Sequence, residues 1–340
     1  MPSITVIIAN WNGAAFLPTC LEALAAQIYT DFKVLVIDNG SLDGSIDMLQ
    51  ENWPDIQLIR LPENRGFAAA NNLGARLADT EWIAFLNNDA YPEPGWLAAL
   101  LVATQQFTKY AVFASRILLV DPPELLDSTG DVYHISGNAW HRGYRKPAQQ
   151  IAPQAGDVFS ACAAAALYRR VDFLASGGFD EDYFAYMEDI DLGFRLRLSG
   201  SPTSYVPEAV VRHVGSATAG IESDFTVYHV HRNLVWCYVS NMPGIYFWLY
   251  LPIHLLSALI FLVYYIKHGS GKAYLRAKWD AMRGLSKAIQ KRKQVQGQRK
   301  ANPRAVVACM DHGLFSPYLL GRSSQRVRQF MAQRDSRRGN

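Results

Sequence analysis

The first ninety residues alternate between apolar runs that favour strands and segments whose apolar residues recur at helical spacing. The strand-like runs cover residues 4–9, 32–38, 56–60 and 82–86, and the helical segments cover residues 16–24, 43–52 and 67–78. Strands that alternate with helices imply right-handed crossovers and strands that run parallel. The pattern therefore predicts an α/β fold in which a mostly parallel sheet carries helices on its faces.

The strand predicted at residues 82–86 is followed directly by Asn87, Asn88 and Asp89. Buried strands of open α/β sheets read as continuous apolar runs, and ligands gather beyond their carboxyl ends. Asn87 and Asp89 should lie at this edge, with Asp38 and Arg65 near them. Asp89 can then hold a divalent cation. The alternative is that these residues only form the turn before a helix at residues 94–107.

A second group of acids opens a predicted helix near residue 188. Ile190, Phe194 and Leu198 form an apolar stripe along this helix, and its first turn carries the acids Glu188, Asp189 and Asp191. Carboxylates in the first turn interact favourably with the helix dipole, so ordinary capping is one reading. Crowded like charges also raise the pKa of a carboxyl group, which favours a general base here.

Between these groups the pattern is weaker. Residues 111–119 and 159–168 are predicted as strands, whereas residues 127–146 suggest a loop or small hairpin to which no chemistry is assigned. His213 ends a further strand predicted at residues 203–214. A single histidine in this position is more often a hydrogen-bonded structural residue than a metal ligand.

The cysteines and the N-terminus bear on the compartment. Cys20, Cys162, Cys237 and Cys309 share no short spacing, which argues against a zinc site or a disulfide framework and fits a reducing compartment. The chain enters its first strand without the regions of a signal peptide, so the N-terminal part is expected to be cytoplasmic.

Charge and hydropathy separate the C-terminal part from the rest. Residues 234–266 carry no charged side chain, whereas residues 267–340 hold 18 Lys and Arg against three Asp. An apolar stretch beside a basic tail predicts association with an anionic membrane surface. Nucleic-acid binding is disfavoured because the tail lacks a recognised motif and interleaved aromatic residues.

The topology of the apolar stretch stays open. It could enter the membrane and return by bending at Pro243-Gly244 or near Pro252, or it could lie along the interface as broken helices. A buried pair of core helices, or a homodimer formed through this stretch, is the remaining alternative.

Five ordered motifs resemble family 2 glycosyltransferases, especially bacterial rhamnosyltransferase-like members. They are residues 6–13 (VIIANWNG), 36–41 (VIDNGS), 64–67 (NRGF), 86–89 (LNND) and 188–192 (EDIDL). The resemblance covers residues 3–216. It implies the GT-A fold, a dTDP- or UDP-sugar as donor, Mg²⁺ or Mn²⁺ as cofactor, and inversion at the anomeric carbon.

The resemblance also implies roles for individual residues. Asp38, Arg65 and Gly66 match positions that bind the nucleotide. Asn10, Asn12 and Asn87, in the first and fourth motifs, are expected to bind the donor as well. Asp89 matches the metal-binding acid and His213 the histidine that completes the metal site. Asp189 matches the catalytic base, with Glu188 and Asp191 orienting it or holding the acceptor. Asn87 departs from the family pattern, which has Asp there, and an amide is a weaker ligand.

The predicted organisation is a glycosyltransferase domain at residues 1–232, membrane-associated helices at 233–268 and a basic tail at 269–340. The predicted activity is transfer of a sugar such as rhamnose to a glycan or lipid-linked acceptor in cell-surface polysaccharide synthesis, at the cytoplasmic face of the plasma membrane. The alternative from another class is a catalytically silent adaptor that binds nucleotide sugars at the membrane.

Overall fold

The computed structural model describes residues 3–151, 154–215 and 223–318. Up to the second gap the chain forms twelve strands and six helices. The strands are β1 (Ile4–Asn10), β2 (Phe32–Asp38), β3 (Gln57–Arg60), β4 (Trp82–Leu86), β5 (Ala90–Pro92), β6 (Val112–Leu119), β7 (Leu126–Ser128), β8 (Asp131–Tyr133), β9 (Ala139–His141), β10 (Gly156–Val158), β11 (Ala165–Arg169) and β12 (Thr203–His213). The helices are α1 (Leu17–Ala25), α2 (Ser45–Asn52), α3 (Gly66–Leu77), α4 (Trp96–Gln106), α5 (Arg170–Ala175) and α6 (Glu188–Ser199).

Ten of these strands form one sheet, whose main path is β10-β12-β6-β11-β4-β1-β2-β3. Strands β1 to β4 pair in parallel, as does β12 with β6, whereas β11 runs antiparallel to both β4 and β6. The predicted mostly parallel sheet is therefore confirmed. Because β4, β6 and β12 point the same way, Asn87 and His213 reach the same edge of the sheet.

The side chains of each strand point alternately to the two faces of the sheet, so the core has two layers. In β1, Val6 and Ile8 pack with α1 and α4 on one face, whereas Ile7 packs with α3 and α6 on the other. Successive side chains of a strand point to opposite faces, so a strand that is apolar at every position is buried on both. Helices on both faces leave the sheet's edge as the place for a ligand.

Of the two segments with a weak sequence pattern, one agrees with its prediction and one does not. Residues 127–146 do contain a small hairpin, in which β8 pairs with β9. The single strand predicted at residues 159–168 is wrong, because the structure has β10 and β11 with a buried loop between them. Small apolar residues fill both buried strands and buried loops, so the sequence pattern does not separate the two.

Five helices follow the second gap: α7 (Asp224–Asn241), α8 (Tyr246–Lys267), α9 (Gly271–Arg283), α10 (Leu285–Gly297) and α11 (Pro303–Ala308). The chain turns between α7 and α8 at Pro243-Gly244, the first of the two positions expected for a bend, whereas α8 runs through Pro252 without a break. Among the described residues, α8 alone is long and apolar enough to cross a membrane.

The C-terminal helices share a core with the β8–β9 hairpin and α6. Tyr133 and Phe194 pack in one buried cluster with Tyr238, Met242 and Val306, and the boundary predicted after residue 232 falls inside α7. The change of composition at Leu234 suggested that boundary, but the helix continues through it. Residues 224–310 are thus packed against the sheet domain.

Candidate active site

A histidine between two carboxylates lies at the carboxyl edge of the sheet. His213 ends β12, and its Nε2 lies 3.1 Å from Oδ1 of Asp89, which follows β4. Its Nδ1 lies 2.7 Å from Oδ2 of the buried Asp127, at β7. Burial alone would lower the pKa of His213, but the hydrogen bonds with Asp127 and Asp89 raise it to about 10. The predicted pairing of Asp89 with His213 is therefore present as a close contact.

The donor set at this point suits a divalent cation. The amide Nδ2 of Asn87 lies 3.4 Å from Nε2 of His213, so a half-turn of the amide would present its oxygen instead. The described residues contain no group of three or more His, Cys, Asp and Glu side chains arranged to hold a metal ion. Asp89 and His213, with the amide of Asn87, therefore offer three atoms and leave the remaining positions to other ligands.

An amide network ties the ends of β1, β2 and β4 together. The buried side chain of Asn10 donates to Asp38 Oδ1 at 3.3 Å and to Ser45 Oγ at 3.0 Å, and its Oδ1 accepts from Asn88 Nδ2 at 2.9 Å. Asp38 Oδ2 accepts from the backbone N–H of Ser41 at 3.2 Å. Asn10 thus holds the neighbouring strand ends in register, and its amide is already bonded within the protein.

The remaining residues predicted to bind the nucleotide lie on two loops beside this network. Asn12 has a positive φ of 51°, and its Oδ1 accepts from the backbone N–H of Leu42 at 2.9 Å. The exposed Arg65 precedes α3, and its backbone N–H donates to Asn39 Oδ1 at 2.9 Å. Gly66 has a φ of +85°, and a Cβ there would lie 2.5 Å from the carbonyl oxygen of Phe184. A side chain at position 66 would therefore push these loops apart.

Asp189 opens α6 at the same edge of the sheet. Its Oδ1 accepts from the backbone N–H of Ile190 at 2.8 Å, and its Oδ2 accepts from that of Ala163, just before β11, at 3.2 Å. Burial raises the pKa of Asp189, and the cationic His141 opposes that shift. The residue as a whole is half-buried. It is thus a positioned carboxylate with raised basicity, as a general base requires.

The two acids beside Asp189 differ in their surroundings. Glu188 is buried, and burial together with Asp189 raises its pKa to about 8. Asp191 turns into the fold, where its carboxylate accepts from Arg195 Nε at 2.7 Å and from Asn241 Nδ2 at 2.7 Å. Its oxygens are occupied by these partners, so Asp191 joins α6 to α7 and is not brought to the carboxylate of Asp189.

Three polar residues of the site lie at residues 127–146, a segment to which no chemistry was assigned from the sequence. Asp127 contacts His213, and its Oδ1 lies 3.7 Å from Nδ1 of the half-exposed His141. His141 Nε2 in turn lies 3.9 Å from Oδ1 of the buried Asp131. This oxygen has no hydrogen-bond partner, whereas Oδ2 of Asp131 accepts from Ser160 Oγ at 2.9 Å. Asp127 and Asp131, at the start of short alternating runs, were the only local sign of these contacts. The residues that they contact are distant in sequence, so the sequence pattern did not reveal the cluster.

Comparison with known proteins gives the following likenesses. Residues 5–174 match the family model described as Glycosyl transferase family 2. The N-acetylglucosaminyl-diphospho-decaprenol L-rhamnosyltransferase of Mycobacterium tuberculosis is 29% identical over 244 residues, which are 64% of this chain and 78% of that protein. The O-antigen biosynthesis protein RfbC of Myxococcus xanthus is 31% identical over 209 residues, but these cover only 16% of its length and 58% of this chain.

Two solved structures have the same fold. GalNAc-T7 with UDP, GalNAc and Mn²⁺ superposes with a TM-score of 0.55 at 14% identity, over 70% of this chain and 50% of that one. Residues 1–349 of S. aureus TarS in complex with UDP-GlcNAc superpose with a TM-score of 0.54 at 16% identity, over 86% and 90% of the two chains. At these identities the likeness concerns the fold alone, and it confirms the predicted GT-A architecture.

Proposed function

The chain belongs to glycosyl transferase family 2, and from that premise we propose that it moves a sugar from a nucleoside-diphosphate donor to a hydroxyl of a lipid-linked or glycan acceptor, with inversion. The observation that carries the proposal is the position of Asp189. Its carboxylate accepts from the backbone N–H of Ala163, at the edge of the sheet where Asp89 and His213 meet. A single displacement needs one base at the acceptor hydroxyl and positive charge at the leaving diphosphate.

Asp189 would take the proton of the acceptor hydroxyl. Two backbone N–H groups hold its carboxylate in place, and burial raises its pKa so that it is a stronger base than an exposed aspartate. Unlike most glycoside hydrolases, an inverting transferase needs no second carboxylate across the bond. Glu188 is buried beside the base, where it would adjust the electrostatics without contacting the acceptor.

Asp89 and His213 would hold a divalent cation, Mg²⁺ or Mn²⁺, with Asn87 as an additional oxygen ligand. When bound, the cation supplies positive charge for the leaving diphosphate. The buried carboxylate of Asp127 fixes Nδ1 of His213 and leaves Nε2 facing Asp89. This arrangement supports the assignment, because metal-binding histidines usually donate their other N–H to a carboxylate or carbonyl.

A dTDP- or UDP-sugar is the proposed donor. Arg65 and Gly66 lie beside Asn39 and Phe184 at the start of α3, whose N-terminus favours an anion, and Asp38 lies at the end of β2. The structures of TarS and GalNAc-T7 contain UDP-GlcNAc and UDP, which supports this class of donor. The name of the mycobacterial relative supports rhamnose as the sugar and a prenyl-diphosphate-linked acceptor.

The outward face of α8 supports a place at the membrane. Apart from His254 and Ser257, its side chains are exposed or half-exposed, including Trp248, Leu255 and Leu259. A helix packed on a soluble core normally buries its apolar side, and α8 does the reverse. The proposed partner of this apolar face is an anionic lipid surface at the cytoplasmic side of the plasma membrane, where the basic residues of α9 and α10 would meet lipid headgroups.

The middle of α8 is bonded to the catalytic body, which favours a helix lying in the plane of the membrane. His254 Nδ1 lies 2.8 Å from the carbonyl oxygen of Ser136, and Asn138 donates to Ser257 Oγ at 2.6 Å. Tyr274 of α9 donates to the carbonyl of Ala258 at 2.7 Å. A helix that crosses the bilayer has lipid or other spans around its middle, whereas this one has the sheet domain.

The test is an assay of the purified full chain with dTDP-rhamnose and other nucleotide sugars, Mn²⁺, and a short-chain prenyl diphosphate that carries N-acetylglucosamine. We expect the nucleotide diphosphate and a longer glycolipid to form together, with the new anomeric linkage inverted by NMR. A protein that binds the donors but leaves every one intact, with and without acceptor, would be the silent adaptor instead.

A further inference from the structure

The segment that leads into α6 has an unusual backbone. Phe184, Tyr186 and Met187 all have positive φ, at 63°, 67° and 70°, and none of them is glycine, asparagine or aspartate. Side chains with a Cβ rarely adopt this conformation, and such residues persist only where their surroundings hold them. Asp189 follows two residues later, so the backbone of this segment determines where the base lies.

One buried side chain holds most of this segment. Asn233, at the centre of α7, is fully buried, and its Nδ2 lies 3.1 Å from the carbonyl oxygen of Tyr183, 3.0 Å from that of Ala185 and 2.8 Å from that of Tyr186. An amide nitrogen has only two hydrogens, so three carbonyls converge on one donor group. Polar backbone atoms of the strained segment are thereby satisfied without regular secondary structure.

The preceding residue of α7 extends this contact. Nη2 of Arg232 donates to the carbonyl oxygens of Asp182 at 3.0 Å and Tyr183 at 2.9 Å. Its guanidinium group also stacks on the rings of Trp236 and Tyr228, which fixes its direction. Two consecutive residues of one helix therefore bind four carbonyls of residues 182–186.

The same segment contacts the loop predicted to bind the donor. The carbonyl oxygen of Phe184 accepts from the backbone N–H of Phe67 at 2.8 Å, directly after Arg65 and Gly66. The lack of a side chain at Gly66 allows this approach. Residues 183–187 thus lie between α7 on one side and the start of α3 on the other, with the proposed base at their C-terminal end.

We propose that Asn233, assisted by Arg232, is a positioning residue for transfer: it holds residues 183–187 in their strained conformation and so sets the place of the Asp189 carboxylate. This inference rests on the proposed function, in which Asp189 is the base. It gives α7 a role in the chemistry although α7 carries none of the reacting groups. The position of the base then depends on α7 as well as on the acidic motif of α6.

The test compares Asn233→Ala with Tyr238→Phe in the full chain. Tyr238→Phe removes a hydrogen bond of the same helix that does not involve residues 183–187, from the hydroxyl to the carbonyl of Phe247 at 2.7 Å. We expect Asn233→Ala to lower kcat by on the order of a hundredfold, as small misplacements of catalytic groups do, with the Kd of the donor changed by less than about threefold. Tyr238→Phe should keep kcat within about threefold.

The pH profile separates positioning from simple destabilisation. Asp189 faces Glu188 on its own helix and His141 and Asp131 from the hairpin, and its pKa is raised first of all by burial. A carboxylate displaced towards water should titrate lower, so the acid limb of kcat should move to lower pH in Asn233→Ala. If activity falls only in proportion to the folded fraction, with the acid limb unmoved, the proposal is overturned.

A measurement without substrate keeps the two proposals apart. Hydrogen exchange of the backbone amides of residues 183–189 should quicken at least tenfold in Asn233→Ala and remain as in the wild type in Tyr238→Phe. Unchanged exchange in this segment would refute the role of Asn233 even if transfer is observed. Normal transfer by Asp189→Asn would refute the assignment of Asp189 as the base. The role of Asn233 in transfer would then fall with it, whatever the exchange data are.

Discussion

At the scale of single residues, His213 can turn only one of its nitrogens towards a ligand. Nδ1 is bonded to the buried carboxylate of Asp127, which also lies near His141. Burial alone would raise the pKa of Asp127, but the contacts with the imidazoles of His141 and His213 outweigh it and lower that pKa. Asp127 therefore stays ionised and keeps a proton on Nδ1 of His213, so Nε2 is the nitrogen whose proton a cation would displace. The nitrogen that remains, Nε2, faces Asp89.

Replacing Asp127 with Asn should weaken metal binding without removing a ligand. The amide can accept from Nδ1 but carries no charge, and loss of such a partner typically costs about 10–100-fold in metal affinity. Titration of the free protein with Mn²⁺, followed by electron paramagnetic resonance, measures this directly. Asp79→Asn, at an exposed ion pair with Lys33, is the control and should bind Mn²⁺ like the wild type.

Replacing Asp189 with Asn should stop transfer and spare binding. The amide keeps the size of the side chain and its contacts with the N–H groups of Ala163 and Ile190 but cannot take a proton. We expect transfer to fall by ~10²-fold or more while the Kd of the donor stays nearly the same. Steady-state kinetics measure the transfer rate, and calorimetric titration with the donor measures the Kd. Transfer within threefold of the wild type would exclude Asp189 as the base.

The activity should fall on acidification sooner than it would with an ordinary aspartate. The pKa of Asp189 is raised, so the base becomes protonated, and therefore inactive, at a higher pH than a carboxyl group in water. Above this pKa the base is ionised and the rate should level off. A profile of kcat against pH in buffers of constant ionic strength tests this. An acid limb at or below the ordinary pKa of aspartate, 3.8, would contradict it.

At the scale of elements, α8 offers a surface that a charge can disrupt. Leu255 and Leu259 are 60% and 56% exposed, and burying a leucine is worth about 1.5–3 kcal/mol. Leu255→Glu with Leu259→Glu should therefore reduce the fraction bound to phosphatidylglycerol vesicles by at least about tenfold. Co-sedimentation measures this fraction.

A matched control exists on the catalytic body. Val171 of α5 is 65% exposed, so Val171→Glu adds one of the two negative charges of the α8 variant at an apolar position of α5. It should leave vesicle binding unchanged. An equal loss of vesicle binding in both variants would assign the effect to net charge. If the double variant of α8 loses self-association but still binds vesicles, α8 is instead a contact between two copies.

The elements were predictable from sequence where the pattern is local. Continuous apolar runs such as residues 82–86 gave the parallel strands, and the turn of polar residues after each strand gave the edge on which Asp38 and Asp89 lie. The buried loop at residues 159–164 was missed because burial hides the difference between a strand and a loop. The contact of His213 with Asp127, 86 residues apart, depends on pairing of β6 with β7 and β12, which no local pattern encodes.

At the scale of the whole molecule, the C-terminal helices are part of the folded unit. Lys287 and Lys291 of α10 form ion pairs with Asp182, and Lys291 also pairs with Asp180, in the turn that precedes residues 183–187. The backbone N–H groups of Lys300 and Ala301 both donate to the carbonyl of Leu198 at 2.9 Å. Composition alone had suggested an appendage at this end of the chain.

A chain that ends at residue 232 should therefore not fold like the full protein. It would cut α7 in its middle, lose Asn233 and expose Tyr133, Phe159 and Phe194, which are buried against α7 and its neighbours. We expect it to lack a cooperative thermal transition, followed by circular dichroism. A chain that ends at Tyr318 retains every contact described above and is the control, and cooperative unfolding of both would mean that the sheet domain is autonomous.

The bonded middle and apolar outer face of α8 also bear on how the enzyme would find its substrate. A protein resting on lipid by this face meets a lipid-anchored acceptor by lateral diffusion, so the search takes place in two dimensions. The governing quantity is then the mole fraction of acceptor in the bilayer and not its amount per litre. Adding inert lipid at constant acceptor would slow the reaction by surface dilution, whereas adding buffer would not.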